Sequence, residues 1–171
     1  MPRKRTFLTI ADLEAVQGSG VGESDWFTVT QELIDEFVRV TEDRQWIHVD
    51  RERAARESPY GTTIAPGLLT LSLIPQLLGQ CVSFPTARMN LNYGFDRLRF
   101  ISAVPAGGRI RAKFAIADVR RQDDAARVMW RVGVAVQGRE KLAISANWIT
   151  LSVFPAESST APATASEPKA S

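Results

Sequence analysis

Hydrophobic positions follow two different periods along this chain, a helical one before residue 80 and an extended one from residue 88 onward. The stretch Thr30-Gln31-Glu32-Leu33-Ile34-Asp35-Glu36-Phe37-Val38 opens with a capping residue followed by acids, the signature of a helix start. Leu33, Ile34, Phe37 and Val38 recur at spacings of one, three and four and so share one apolar face. From Ala65 to Gly79, leucine and isoleucine fall on every side of a helical wheel, which predicts a helix buried all round. Pro66 suits the first helical position, Pro75 should kink or shorten the helix, and Gly79 is a natural stop.

The segment between these helices, Asp43 to Gly61, mixes charge with Trp46, Pro59 and Gly61 and keeps neither period. It reads as a long structured loop with one helical turn at Glu52 to Ala55, and loops of that length are commonly functional. A short lead containing Gly18, Gly20 and Gly22 precedes the first helix. Beyond residue 88, Leu98–Phe100, Ile110–Ile116, Val128–Val136 and Ile144–Leu151 are rich in β-formers with partial alternation. Gly107-Gly108, Asp123-Asp124 and Gly138 mark turns between them. Long strands joined by short turns argue an antiparallel sheet, and one buried helix beside such a sheet is an α+β arrangement. Wrapping the sheet around the apolar helix satisfies both elements, as one packing solution among several.

Composition narrows the class. The 171 residues are 44% hydrophobic and 23% charged, enough apolar material for one globular domain. That domain is placed at residues 1–155; residues 156–171 are Ser, Thr, Ala, Pro and Glu without a large apolar side chain and read as a disordered tail. Twenty-one basic against nineteen acidic side chains leave a charge of +2, too little for the field that nucleic-acid binders use. The Arg3-Lys4-Arg5 cluster reads as a solvated leader. Cys81 is the only cysteine, which rules out an intrachain disulfide and a paired-cysteine metal site and suits a reducing cytoplasm. The stretch from Thr6 to Asp12 is too short for a secretory signal, and no segment reaches the ~18 apolar residues of a membrane span. A cytoplasmic location without membrane or nucleic-acid partners is therefore expected.

The only histidine, His48, follows Asp43 by five residues. A lone histidine is more often structural than catalytic, so spacing alone leaves its role open. The surrounding motifs carry more information. Asp43-Arg44-Gln45-Trp46-Ile47-His48, Gly61-Thr62-Thr63-Ile64-Ala65 and Gly67-Leu68-Leu69-Thr70-Leu71-Ser72-Leu73 occur in that order. They are followed by Asn90–Phe100 and Val104-Pro105-Ala106-Gly107. This series resembles the MaoC-like dehydratases, in particular the NodN-like branch and the (R)-specific enoyl-CoA hydratases, over roughly Trp26 to Leu151.

The resemblance implies a hot-dog fold and reversible addition of water to a trans-2-enoyl thioester. It assigns Asp43 and His48 to the water as an acid–base pair, and the Gly67 backbone N–H to the thioester oxygen as a fixed donor. Pro66 stands where the family usually has histidine, and Pro75 where several hydratases carry a serine that helps hold the water. Gln45, Trp46, Tyr60 and Asn92 are candidate substrate contacts, and Arg97 and Arg99 candidate contributors to a basic pocket mouth. Cys81 reads as a small buried residue, since no second histidine could activate it. No metal or redox cofactor is implied; coenzyme A is part of the substrate, and a homodimer is the expected assembly. Two alternatives stand beside this reading: a dehydratase of another acyl-CoA or acyl-carrier-protein substrate, and a non-catalytic acyl-thioester binder.

Overall fold

Three long strands with largely alternating buried side chains dominate the second half of the computed structural model, which describes residues 4–155. The elements run β1 (Arg5–Thr6), α1 (Ile10–Glu14), β2 (Gly20–Glu23), β3 (Phe27–Val29), α2 (Gln31–Thr41), α3 (Trp46–Val49) and α4 (Arg51–Glu57). They continue with α5 (Gly67–Ser72), α6 (Ile74–Cys81), β4 (Val82–Ser83), β5 (Met89–Phe100), β6 (Gly108–Gln122), β7 (Ala125–Val136) and β8 (Leu142–Val153). The tail expected at 156–171 lies outside the described residues.

Ile110, Ala112, Phe114 and Ile116 of β6 face inward, as do Val128, Trp130, Val132 and Val134 of β7 and Ile144, Ala146 and Trp148 of β8. The register aligns them in rows: Phe114 opposite Val132 and Val132 opposite Ala146, Trp130 opposite Trp148. Period-two alternation thus becomes one continuous apolar sheet face. Ile74, Leu77, Leu78 and Cys81 of α6 join the same core. The sheet is antiparallel with strand order β2-β6-β7-β8-β5, and β3 extends the β2 edge of β6. This is the α+β hot-dog arrangement of a sheet packed on a central helix.

The strand order contains a step that short turns alone do not predict. β5 pairs with β8, the last strand, and not with β6, the next one. Residues 101–107 carry the chain from one side of the sheet to the other, past the segment that leads into α5. Ala65 N–H donates to the Val104 carbonyl at 2.8 Å, and Ala106 N–H to the Thr63 carbonyl at 2.9 Å. This crossing brings the two segments that build the candidate site side by side.

Several sequence expectations need correction. Asp43 to Gly61 is largely helical: α3 and α4 are consecutive, and Asp50 caps the second by accepting from the Arg53 N–H at 2.9 Å. Each is so short that it buries one residue, His48 or Ala54, and no period can show. The lead before residue 30 holds α1, whose Thr9 and Asp12 form a reciprocal capping box, and the edge strands β2 and β3. The Ala65–Gly79 helix is two helices meeting at Leu73, with Pro75 in the first turn of the second, and it ends at Cys81, beyond Gly79. It is not buried all round, since Leu68 is 58% exposed. Pro66 is the residue before the helix and not its first member; Gly67 takes that place.

Candidate active site

The site begins with how His48 is held. His48 is 5% exposed on α3, and its Nδ1 lies 2.7 Å from the Ile64 carbonyl oxygen. A carbonyl can only accept, so Nδ1 carries the hydrogen and, in the neutral ring, Nε2 is left as the acceptor. The Ile64 N–H donates in turn to the Ile47 carbonyl at 3.0 Å. The histidine and its ring anchor are therefore tied twice.

A second clamp comes from α2. Gln31, 8% exposed, donates through Nε2 to the His48 carbonyl at 2.8 Å and to Asp35 Oδ1 at 2.8 Å. Its Oε1 accepts from the buried Thr63 hydroxyl. Gln31, Ile34 and Val38 are the buried residues of α2, so the glutamine occupies a core-facing position on the helix. A fully bonded polar network of this kind fixes geometry in the way an isolated buried polar group cannot.

His48, Tyr60, Gly67, Thr70, Phe100 and the crossing residues Ile101 to Val104 line one cavity of about 280 Å³. Gly67 opens α5, so its N–H has no intrahelical acceptor. Phe100 lies across it: a Cβ added at Gly67 would sit 2.8 Å from the Phe100 Cδ1. The Thr70 hydroxyl, buried in the wall, has no hydrogen-bond partner among the described residues.

Of the residues singled out from the sequence, His48, Gly67 and Tyr60 meet in this cavity, with Tyr60 47% exposed. Asp43 is half-buried at the turn before α3 and accepts from Gln45 Nε2 at 3.2 Å; neither lines the cavity. Trp46 carries the Arg53 guanidinium 4.4 Å above its ring. Asn92 lines a different cavity, about 230 Å³, with Pro75 and Trp148, while Arg97 and Arg99 are exposed on β5. Gln31, Thr63 and Thr70 were not anticipated. A readable signal existed for two of them: Gln31 keeps heptad spacing with Val38, and Thr70 interrupts a run of leucines.

A family model for the MaoC-like domain matches residues 12–138. The chain belongs to the MaoC-like dehydratase family. It is 48% identical over 115 residues to 3-hydroxyacyl-thioester dehydratase Z of Mycobacterium tuberculosis, covering 67% of this chain and 76% of that protein. It is 39% identical over 149 residues to nodulation protein N of Rhizobium meliloti, covering 86% and 92%. In structure it resembles the unliganded (R)-hydratase PhaJ1 of Pseudomonas aeruginosa, with a TM-score of 0.64 at 22% identity over 88% of this chain and 87% of that one. As a member of this family it is a hydro-lyase.

Among the described residues no three of His, Cys, Asp and Glu gather as a metal-binding group, and no helix is long and apolar enough to cross a membrane. Cys81 is buried at the end of α6. Burial pushes its thiol pKa up, and the Asp25 and Glu23 carboxylates add to the shift. Because the thiolate is the reactive form, the native protein is expected to react with a thiol-directed alkylating reagent at pH 8 at least about tenfold more slowly than the urea-unfolded chain. Mass spectrometry of timed samples would show it; equal rates would mean the thiol is open.

Proposed function

We propose that this protein adds water reversibly to trans-2-enoyl thioesters, giving (R)-3-hydroxyacyl thioesters, with coenzyme A as the thioester handle. One observation carries the reading. An imidazole whose Nδ1 is locked to a carbonyl, leaving Nε2 as its acceptor, lines the same small cavity as a helix-start N–H with no intrahelical acceptor. Hydration needs those two functions together. As the water oxygen bonds to C3, the water gives one proton to the acid–base pair and the C2–C3 π electrons move toward the thioester oxygen, which becomes enolate-like; the pair then returns a proton to C2 as the thioester carbonyl re-forms.

In this reading His48 Nε2 accepts the hydrogen bond of the attacking water, and the Gly67 N–H holds the oxygen on which charge accumulates. Asp43 completes the acid–base pair, on the strength of the family pattern. The relatives support the substrate class: one is named for 3-hydroxyacyl thioesters and another as an (R)-hydratase. Tyr60 takes the cavity rim. Trp46, Gln45 and Asn92 serve as substrate contacts only along a path that continues outside this cavity.

The assembly in this reading is a homodimer. The outer edge of β5 pairs with no strand among the described residues, and Met89, Leu91 and Tyr93 on it are each at least 47% exposed. An unpaired apolar edge strand is a template for a second copy.

Purified protein incubated with crotonyl-CoA and with longer enoyl-CoAs should consume the enoyl absorbance, and the product should be the (R) alcohol by chiral analysis. Absence of turnover across chain lengths, on coenzyme A and on carrier-protein thioesters alike, would remove the hydratase reading.

A further inference from the structure

Threonine hydroxyls inside helices normally have somewhere to go. In this chain Thr41 Oγ1 donates to the Phe37 carbonyl at 2.8 Å, and Ser72 Oγ donates to the Leu68 carbonyl at 2.8 Å, each four residues back. Thr70 departs from that habit. Its backbone N–H donates to the Pro66 carbonyl at 3.3 Å, but its hydroxyl bonds to nothing among the described residues, although the residue is 1% exposed.

A buried hydroxyl without a partner costs free energy, and valine would fill the same volume without that cost. The unmet group lies beside a place where a donor is wanted. Thr70 lines the cavity with His48 and Gly67. It stands three residues after Gly67, hence on the same side of the helix, and helical side chains lean back toward the N-terminus. That lean sets the Thr70 side chain beside the turn that Gly67 opens. Of the other hydroxyls lining the cavity, Ser102 Oγ is spent on the Leu142 carbonyl at 2.9 Å, and Tyr60 sits 47% exposed at the rim.

We infer that the Thr70 hydroxyl is a second donor to the thioester carbonyl oxygen, completing with the Gly67 N–H the pair that receives enolate charge. The inference rests on the proposed reading of the cavity and names a residue beyond it. A carbonyl oxygen accepts from two directions, and one amide N–H fills only one of them. Thr70 holds no proton in transit and does not titrate in the working range, so its contribution is purely one of charge stabilisation.

The test compares Thr70→Val and Thr70→Ser with the parent. Valine should lower kcat by about 10²-fold or more while KM moves little, as expected for a donor used mainly in the transition state. Serine should recover most of the rate. Thermal midpoints decide whether the role is structural: valine should match or exceed the parent, because it removes an unsatisfied group. A lower midpoint for valine would show that the protein itself uses the hydroxyl, and would overturn the inference. So would parent-like turnover in valine, and in that case the hydratase reading would stand.

Binding of acetoacetyl-CoA gives a readout that needs no turnover, since its enolate has its own ultraviolet band. The parent should raise that band and Thr70→Val should not. If the parent is inert on every enoyl thioester, the hydratase reading falls. Loss of the enolate band in valine alone would then still support the donor role, while an equal band in both proteins, or none in either, would overturn it.

Discussion

Asp43→Asn and His48→Gln are each expected to lower kcat/KM on an enoyl thioester by at least about 10²-fold, the lower end of general acid–base contributions. Their effects on the fold should differ. Asp43 is half-buried before α3, and among the described residues its side chain bonds only to the nearby Gln45, so its amide variant should keep the parent's thermal midpoint. His48 is buried, and its ring satisfies the Ile64 carbonyl. His48→Ala should therefore also lose about 1–3 kcal/mol of stability by stranding that acceptor, which the sequence expectation of a loop residue did not foresee. Glutamine keeps an N–H that can reach a carbonyl, and is the cleaner probe. Steady-state kinetics beside urea titrations would separate the two effects. Parent rates in both variants would mean that neither residue handles the water.

The sequence showed the sheet best, because burial on one face of β6, β7 and β8 is a repeated local demand that each strand writes into its own residues. Where two distant segments decide the outcome, the signal weakens. Nothing in Asn90–Phe100 says that its partner is β8 and not β6; that follows from how residues 101–107 pack beside Thr63 to Ala65. The α3–α4 pair was hidden because helices of four and seven residues each bury a single side chain. In the site, the resemblance pointed to His48 and Gly67, and the structure adds what holds them. The Ile64 carbonyl and the Gln31 clamp are long-range bonds, spanning 16 and 17 residues from His48, and a backbone carbonyl has no sequence signature at all. Thr70 was visible as a hydroxyl among leucines, but only its missing partner makes it informative.

Gly67 and Pro66, adjacent in sequence, are expected to respond in opposite ways. A Cβ at position 67 would meet the Phe100 ring at 2.8 and 3.0 Å from its Cδ1 and Cε1, closer than real contacts allow. The obstacle is a side chain 50% exposed at the end of β5, so the ring can turn away and Gly67→Ala should fold. The displaced ring and the new methyl then crowd the cavity that both residues line, and access to the Gly67 N–H suffers. Alanine is expected to slow turnover, and β-branched valine to reduce it on the order of 10²-fold, comparable to losing one oxyanion donor. Adding Phe100→Ala to Gly67→Ala should restore much of the rate, since the pair couples through one contact. Pro66 contributes no N–H to the helix, and its φ of −53° is one any residue can adopt. Pro66 is buried, so Pro66→Ala should keep turnover within a few-fold and lose on the order of 1–3 kcal/mol, through lost packing as well as a freer unfolded chain. Pro66→His should fold, with a rate similar to the parent's or modestly higher. If the parent and Pro66→Ala are both inert and Pro66→His alone turns over, the natural chain binds acyl thioesters without hydrating them, and the cavity around His48 is a binding site only.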